Sequence, residues 1–269
     1  MTTEDVPLGV PPALSGATRM YAIVGDPIDQ AGSPGLFNQA FRRLGTHAVL
    51  VPMNVGPADL PTLIGTFRAT RNWDGLIVTV PHKVAVVDLI DEVGPSAQRT
   101  GAVNAIRKED DRLIGDNFDG IGFVEGLHAK GHDLRGRSVL LIGAGGAGRA
   151  VAHALADAAV SRIDIYDVDR ARAATLATAV AVSTGILASA VASPDVGAHD
   201  LVANCAPTGG RLEIDLTRAS PDTLVVDIVL KPAITPLLAS ARSHGLSVHE
   251  GVHMLSGQVE TVLRFFSRA

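Results

Sequence analysis

Residues 138–148 read Ser-Val-Leu-Leu-Ile-Gly-Ala-Gly-Gly-Ala-Gly, and this stretch decides the fold. An apolar run of strand length is followed by glycines and then by an alanine-rich segment of helical length. Glycines at 143, 145 and 148 allow a tight turn, close approach of the backbone to a pyrophosphate and close helix–strand packing, in that order. The stretch predicts a dinucleotide-binding loop with these cofactor-binding residues: Gly143, Ala144, Gly145, Gly146, Ala147 and Gly148. A purely structural glycine turn is the alternative.

The choice of cofactor depends on the end of the next predicted strand, Ile163-Asp-Ile-Tyr-Asp167, which lies 19 positions past Gly148. A carboxylate about 20 residues after the glycine loop accepts hydrogen bonds from ribose hydroxyls and repels a 2′-phosphate. Asp167 therefore favours NAD over NADP. Arg170 and Arg172 keep NADP open, and Arg172 is a candidate cofactor ligand. Asp169 is interpreted as the N-cap of the following helix.

Strand-like and helix-like stretches alternate along the chain. Apolar runs bounded by turn residues predict strands at 21–24, 48–53, 75–80, 102–107, 112–116, 138–142, 162–167, 200–204 and 223–229. Helical periodicity predicts helices at 34–44, 57–71, 81–91, 119–130, from the glycine loop to 158, from 169, and at 256–267. The pattern predicts an α/β protein with two domains. One has a mixed sheet, because of a hairpin around 109–111, and the other is a doubly wound Rossmann domain.

Composition restricts the partners. The 269 residues carry a net charge of −5, which argues against nucleic acid, and no apolar run approaches the ~20 residues that span a bilayer. The single cysteine, Cys205, excludes an intramolecular disulfide and fits a reducing, cytoplasmic location. We expect a monomer or homodimer that acts on a small-molecule substrate. Residues 1–19 contain several Pro and Gly and no signal pattern, so we expect a flexible tail.

Several segments resemble the shikimate dehydrogenase family and occur in that family's order. Besides the glycine loop they are Gly25-Asp-Pro-Ile28 with Ser33-Pro34, Val78-Thr-Val-Pro-His-Lys83, Gly101-Ala-Val-Asn104, Gly115-Asp-Asn-Phe-Asp-Gly120, Asp227 through Leu237, and Gly251-Val-His-Met-Leu-Ser-Gly-Gln258. The resemblance implies an NAD(P)-dependent dehydrogenase of the shikimate/quinate type. Such an enzyme transfers hydride reversibly between nicotinamide and a ring secondary alcohol of an alicyclic hydroxy acid. It also implies a substrate domain at 20–119 plus 252–269, a Rossmann domain at 120–251, and a cleft between them.

The resemblance places the family's catalytic lysine and aspartate on Lys83 and Asp119. Oxidation of a secondary alcohol needs a positioned base for the hydroxyl proton while hydride leaves the carbon. The sequence leaves open which of the two moves the proton; taken singly, they would be a solvated lysine and a helix cap. Implied substrate-binding residues are Asn104 and Gln258, whose amides suit a diol, and Ser33 and Thr79, whose hydroxyls lie near the carboxylate end of the substrate. Further implied cofactor-binding residues are Cys205, Ile228 and Gly251.

The substrate pocket departs from the family pattern at four positions. Ala31 replaces the first serine of Ser-x-Ser-Pro, and Ile77 replaces the asparagine before Val-Thr-Val-Pro. Phe118 and Leu230 replace a threonine and a tyrosine. Each change removes a hydrogen-bonding group, and a hydrogen bond to a charged ligand group is worth roughly 1.5–3 kcal/mol. We expect weak binding of shikimate and a related, less polar substrate.

Two other interpretations compete with these. His249-Glu-Gly-Val-His253 matches a zinc-protease pattern, but that motif requires a helix, and we expect a strand and a glycine there, so no metal is predicted. The chain could also be a non-catalytic NAD-binding ligand sensor on the same fold. Retention of both Lys83 and Asp119 favours the enzyme. A folate-linked dehydrogenase is disfavoured by the segments around Asp119 and Gln258.

Overall fold

A computed structural model describes residues 14–206 and 214–267 of the chain. Within these ranges the strands form two sheets of six. The strands are β1 (Arg19–Gly25), β2 (Ala48–Asn54), β3 (Trp73–Val78), β4 (Glu92–Val93), β5 (Ala105–Glu109), β6 (Arg112–Asp116), β7 (Ser138–Ile142), β8 (Arg162–Tyr166), β9 (Leu187–Ala190), β10 (Leu201–Asn204), β11 (Leu224–Asp227) and β12 (Ser247–Glu250). The helices are α1 (Ser33–Arg43), α2 (Leu60–Ala69), α3 (Pro95–Thr100), α4 (Asp119–His128), α5 (Gly146–Asp157), α6 (Arg170–Thr184), α7 (Pro236–Ser243) and α8 (Val252–Phe266).

The first sheet is mixed, as the hairpin predicted. Its order is β2-β1-β3-β5-β6-β4, with β1 parallel to β2 and β3, and β5 antiparallel to both β3 and β6. One face packs against α2, whose Leu60, Ile64 and Phe67 are buried. The other face is covered by α1 and by α8, which contributes Val259 and Phe266. This sheet therefore takes part of its core from the last helix.

The second sheet is parallel throughout, with the order β12-β11-β10-β7-β8-β9. The direction of winding reverses between β7 and β10, and ligands of doubly wound sheets bind outside the carboxyl ends of strands at such a point. The glycine loop follows β7 and Cys205 follows β10, so both lie at this reversal. The predicted Rossmann arrangement is confirmed.

Helices α4 and α8 cross at close range and join the two units. A Cβ atom on Gly122 would lie 2.6 Å from the backbone oxygen of Met254, and one on Gly257 would lie 2.7 Å from the nitrogen of Gly126. The helices thus approach backbone to backbone. This crossing brings the start of α4, at Asp119, close to Gln258 on α8.

The structure differs from the sequence prediction around Lys83. Residues 81–91 were expected to form a helix, whereas only a 3₁₀ helix, Ala85–Leu89, is present, and β4 follows it. The carbonyl of Lys83 accepts a hydrogen bond from the nitrogen of Val103 at 2.8 Å. The nitrogen of Val87, which would bond to Lys83 in an α-helix, donates to the carbonyl of Val84. A tertiary bond has therefore taken the acceptor that an α-helix would use.

Several element limits also differ. α8 begins at Val252 and not at 256, and α3, α7 and the short strands β4 and β9 were not predicted. Of the predicted tail, residues 1–13 lie outside the described residues, while Arg19 already belongs to β1. The N-cap at Asp169 is confirmed, because its carboxylate accepts from the nitrogens of Ala171 and Arg172. In the described part of the chain, none of the helices is long and apolar enough to cross a membrane.

Three histidine rings meet where β12 leads into α8. The ring of His249 lies 4.7 Å from that of His253 and 5.6 Å from that of His132, measured between centroids. Burial, aided by the positive charges of His253, His132 and Lys130, lowers the pKa of His249 to about 3. Its Nε2 is buried without a hydrogen-bond partner among the described residues.

We expect this histidine to destabilise the protein in acid. The unfolded chain takes up the proton near pH 6.5 and the folded protein only near 3, so the free energy of unfolding falls as the pH drops through that range. The slope is about 1.4 kcal/mol per pH unit. His249→Leu should flatten it in denaturant titrations between pH 6.5 and 4.5. The exposed His244→Leu is the matched control, and equal slopes in both variants would contradict the assignment.

Candidate active site

A cavity of about 490 Å³ lies between the two sheets. Its walls come from the carboxyl ends of β1 and β3, the first turn of α5, the loops that follow β10 and β11, and one face of α8. Residues from both units therefore face one another across it. This is the position expected for a ligand at the winding reversal of a parallel sheet.

A lysine–carboxylate pair lies in this cavity. Lys83 Nζ donates to Asp119 Oδ2 at 2.6 Å, and the two side chains are 18% and 5% exposed. Asp119 is the first residue of α4, where the helix dipole favours a negative charge. The pair offers a proton acceptor and a proton donor side by side.

Asn104 holds the carboxylate of this pair in place. Its Nδ2 donates to Asp119 Oδ1 at 2.8 Å and to Gln258 Oε1 at 3.1 Å, while its Oδ1 accepts from the nitrogen of Phe118 at 2.8 Å. Both carboxylate oxygens of Asp119 are therefore engaged. Gln258 Nε2 makes no hydrogen bond to the described residues, which leaves amide donors for a ligand.

The backbone around Lys83 is fixed by bonds to neighbouring strands. His82, which is 1% exposed, bonds through Nε2 to the carbonyl of Val55 at 2.7 Å. The carbonyl of Lys83 is bonded to Val103 one residue before Asn104. These contacts fix the backbone of Lys83 relative to that of Asn104. His82 thus anchors the loop through its ring and does not reach the cavity.

The glycine loop has room for a cofactor. Gly143 has a φ of +97°, and a Cβ atom on it would lie 2.8 Å from the nitrogen of Ala206. A Cβ atom on Gly148 would overlap the carbonyl oxygen of Gly143. Gly145 and Gly146 have nothing within 4 Å of such an atom, and both line the cavity. The start of α5 is therefore open toward the cavity and suits the pyrophosphate of a dinucleotide.

Asp167 stands at the end of β8, beside this loop. Its Oδ2 accepts from the nitrogen of Ala144 at 2.7 Å and its Oδ1 from the nitrogen of Asp169 at 2.8 Å. The carboxylate is half-buried and keeps a fixed orientation. Val168, the next residue, is 85% exposed.

Cys205 is a buried wall residue. Burial raises the pKa of its thiol, and the nearby carboxylates of Asp227 and Asp119 raise it further. The thiol therefore stays protonated near neutral pH. A protonated thiol is a poor nucleophile, so this environment suits packing better than covalent chemistry.

Most of the predicted residues meet in the cavity. Those that line it are Ala31, Ser33, Ile77, Thr79, Lys83, Asn104, Asp119, Gly145, Gly146, Ala147, Cys205, Ile228, Leu230, Gly251 and Gln258. Gly143, Ala144 and Gly148 belong to the glycine loop but are not among the lining residues. Arg172 is an exposed residue of α6, and its side chain pairs with that of Asp169 at 3.2 Å. Phe118 is predicted to contact the substrate, but it does not line the cavity. Its ring is in the core, 5.1 Å from that of Phe265, because α8 supplies an aromatic partner there.

Sequence reasoning missed several apolar lining residues. Met254 and Leu255 precede Gln258 by four and three positions on α8, so helical spacing from the predicted Gln258 would have found them. Ile23 pairs with Ile77 across β1 and β3, which only the sheet register reveals. The two histidines of the zinc-like motif belong to β12 and α8. No group of three or more metal-ligating residues is placed to hold a metal in 14–206 and 214–267.

Comparisons with known proteins relate this chain to a family of enzymes. Residues 23–106 match the family described as the shikimate dehydrogenase substrate binding domain. A shikimate dehydrogenase (NADP(+)) of Symbiobacterium thermophilum is 38% identical over 256 residues, covering 90% of this chain and 87% of that protein.

Two solved structures resemble the whole fold. The Listeria monocytogenes shikimate 5-dehydrogenase in complex with shikimate and NAD has a TM-score of 0.86 and 27% identity, over 96% of this chain and 94% of the other. The 5-ketofructose reductase of Gluconobacter sp. strain CHM43 has a TM-score of 0.84 and 26% identity, over 95% of both chains. From the relative that is 38% identical over nearly its full length, together with the matching family description, we conclude that this chain belongs to the shikimate dehydrogenase family of oxidoreductases.

Proposed function

We propose that the protein is an NAD-preferring dehydrogenase that oxidises, reversibly, a ring secondary alcohol of an alicyclic hydroxy acid or an analogue of one. The observation that carries the proposal is the bonded pair of Lys83 and Asp119, which lies in one cavity with the open glycine loop. In this proposal residues 20–119 with 252–269 bind substrate and residues 120–251 bind the cofactor.

The cofactor would be held by the open loop residues Gly145, Gly146 and Ala147, with Asp167 at its ribose. When bound, a nicotinamide supplies the acceptor for the hydride, with its two electrons, that leaves the alcohol carbon. The hydroxyl proton passes to the Lys83–Asp119 pair, which returns it in the reverse reaction. Asn104 keeps Asp119 oriented, and Gln258 binds a neighbouring hydroxyl through its amide.

The proposal is tested with a panel of alcohols, each with NAD and NADP, followed at the nicotinamide absorbance. The panel includes shikimate, quinate and other alicyclic hydroxy acids. Keto sugars are added in the reductive direction because of the likeness to 5-ketofructose reductase. We expect turnover with at least one ring alcohol and a higher kcat/KM with NAD. Tight binding of NAD without turnover of any compound would favour a ligand sensor instead.

The preference for NAD rests on the charge of Asp167. Asp167→Asn retains an oxygen that can accept from Ala144 but removes the charge that repels a 2′-phosphate. We expect the ratio of kcat/KM for NAD to that for NADP to fall at least about tenfold. Asp169→Asn, which alters the neighbouring helix cap, is the matched control. An unchanged ratio in Asp167→Asn would show that other residues select the cofactor.

A further inference from the structure

The cavity lining combines one compact polar group with a set of apolar side chains. The polar group is Lys83, Asp119, Asn104 and Gln258. We define the apolar wall as Ile23, Ala31, Ile77, Leu230 and Leu255, all of which line the same cavity. The wall is assembled from two strands of the first sheet, from the loops before α1 and after β11, and from α8, so it forms only in the folded protein.

The two leucines of the wall approach the loop before α1, and the wall lies beside the polar group. A Cβ atom on Gly32 would lie 2.8 Å from Leu255 Cδ2 and 3.9 Å from Leu230 Cδ1, so these leucines converge on the loop before α1. Leu255 lies one helical turn before Gln258 on α8. Ile77, which is 9% exposed, precedes Val78, whose nitrogen donates to the carbonyl of Asn104 at 2.8 Å.

The described lining offers no free positive charge for an anionic substrate. Lys83 is its single cation, and Asp119 balances that charge at 2.6 Å. Lys231 follows Leu230 but is exposed, and its Nζ donates to the carbonyl of Asp29 at 3.4 Å, outside the lining. A carboxylate placed on the apolar wall would lose hydration and find only the hydroxyls of Ser33 and Thr79.

We propose that the substrate is an uncharged vicinal diol, or the corresponding hydroxyketone, with a hydrocarbon edge and no carboxylate. Its two oxygens meet the polar group, and its hydrocarbon edge lies on the apolar wall. This inference rests on the proposed dehydrogenase activity and names the substrate that the same site selects. The apolar contact supplies binding, while a carboxylate on the same wall would lose hydration and gain few hydrogen-bond partners from the described lining.

The test compares two alcohols that differ only in the acid group, cyclohexane-1,2-diol and 3,4-dihydroxycyclohexane-1-carboxylate. Steady-state kcat/KM is measured for each isomer with NAD. We expect the diol to exceed the carboxylate at least tenfold. A preference for the carboxylate, or equal values, would overturn this inference alone. No turnover of these compounds, shikimate or quinate would overturn the dehydrogenase proposal and this inference with it.

A pair of variants at Ile77 identifies the wall as the cause. Ile77→Thr removes the δ-methyl group and replaces the γ-methylene with a hydroxyl, so the side chain stays branched and becomes polar. Ile77→Val also removes the δ-methyl group, but its side chain stays apolar. We expect Ile77→Thr to shift the ratio of kcat/KM about tenfold toward the carboxylate, and Ile77→Val to shift it less than about twofold. Equal shifts in the two variants would show that volume and not polarity selects the substrate. Thermal unfolding of both variants checks that each folds.

Discussion

Replacing Lys83 with alanine is expected to lower kcat for alcohol oxidation by about 10²- to 10⁴-fold, the range typical of a lost general acid or base. The lysine is bonded to Asp119, whose side chain is 5% exposed, and it is the cation of the described cavity lining. Without it the carboxylate remains buried with Asn104 as a donor but with no positive charge nearby. Affinity for NAD, titrated separately, should change little, because the glycine loop is untouched.

Lys83→Arg separates charge from proton transfer. Arginine keeps the positive charge beside Asp119 but does not give up a proton near neutral pH. If the lysine moves the proton, the arginine variant stays nearly as slow as the alanine variant; if Asp119 does, the arginine variant regains activity. Lys130→Ala, at an exposed position after α4, is the control for loss of a lysine. A Lys83→Ala variant within tenfold of wild type would refute the assignment.

Gly148→Ala is expected to weaken NAD binding about 100-fold or more. The added methyl group would overlap the carbonyl oxygen of Gly143, which is backbone and cannot rotate away. The helix must then move off the strand, and the nitrogens at the start of α5 lose their position toward a pyrophosphate. We expect the free energy of unfolding to fall as well, by about 1–3 kcal/mol. NAD titration and chemical denaturation measure the two effects.

Gly65→Ala provides the matched control for this substitution. Gly65 lies within α2, and a methyl group there would meet nothing within 4 Å. Alanine should stabilise that helix by roughly 0.5–1 kcal/mol, since glycine is the weaker helix former. NAD affinity should stay at the wild-type value. If Gly148→Ala bound NAD as well as Gly65→Ala does, the close packing of loop and helix would not matter for the cofactor.

Local pattern was enough to predict the parts of the fold that local chemistry determines. The apolar run of β7, the glycines after it and the cap at Asp169 each depend on neighbours within a few residues. The missed helices α3 and α7 also carried local signals, since each begins with a proline in its first turn and Thr235 caps α7 through the nitrogen of Leu238. Both helices could therefore have been predicted from their own residues.

Other features depend on distant partners, which a sequence pattern does not contain. The loop at Lys83 is not helical because Val103 takes its carbonyl, and Phe118 leaves the cavity because Phe265 approaches from α8. Ile23 lines the cavity because the register of β1 against β3 places it beside Ile77. In each case the deciding neighbour is more than 15 positions away in the chain, and no periodicity reports it.

The crossing of α4 and α8 has a consequence for the order of events during synthesis. The first sheet emerges early, yet the face that carries Phe37 and Phe41 is completed by Val259, Val262 and Phe266. The whole second sheet, β7 to β12, must therefore be synthesised before that face is covered and before Gln258 can contact Asn104. A nascent chain halted after the second sheet would expose this apolar surface. We expect chaperones that bind exposed apolar surfaces to bind such a chain.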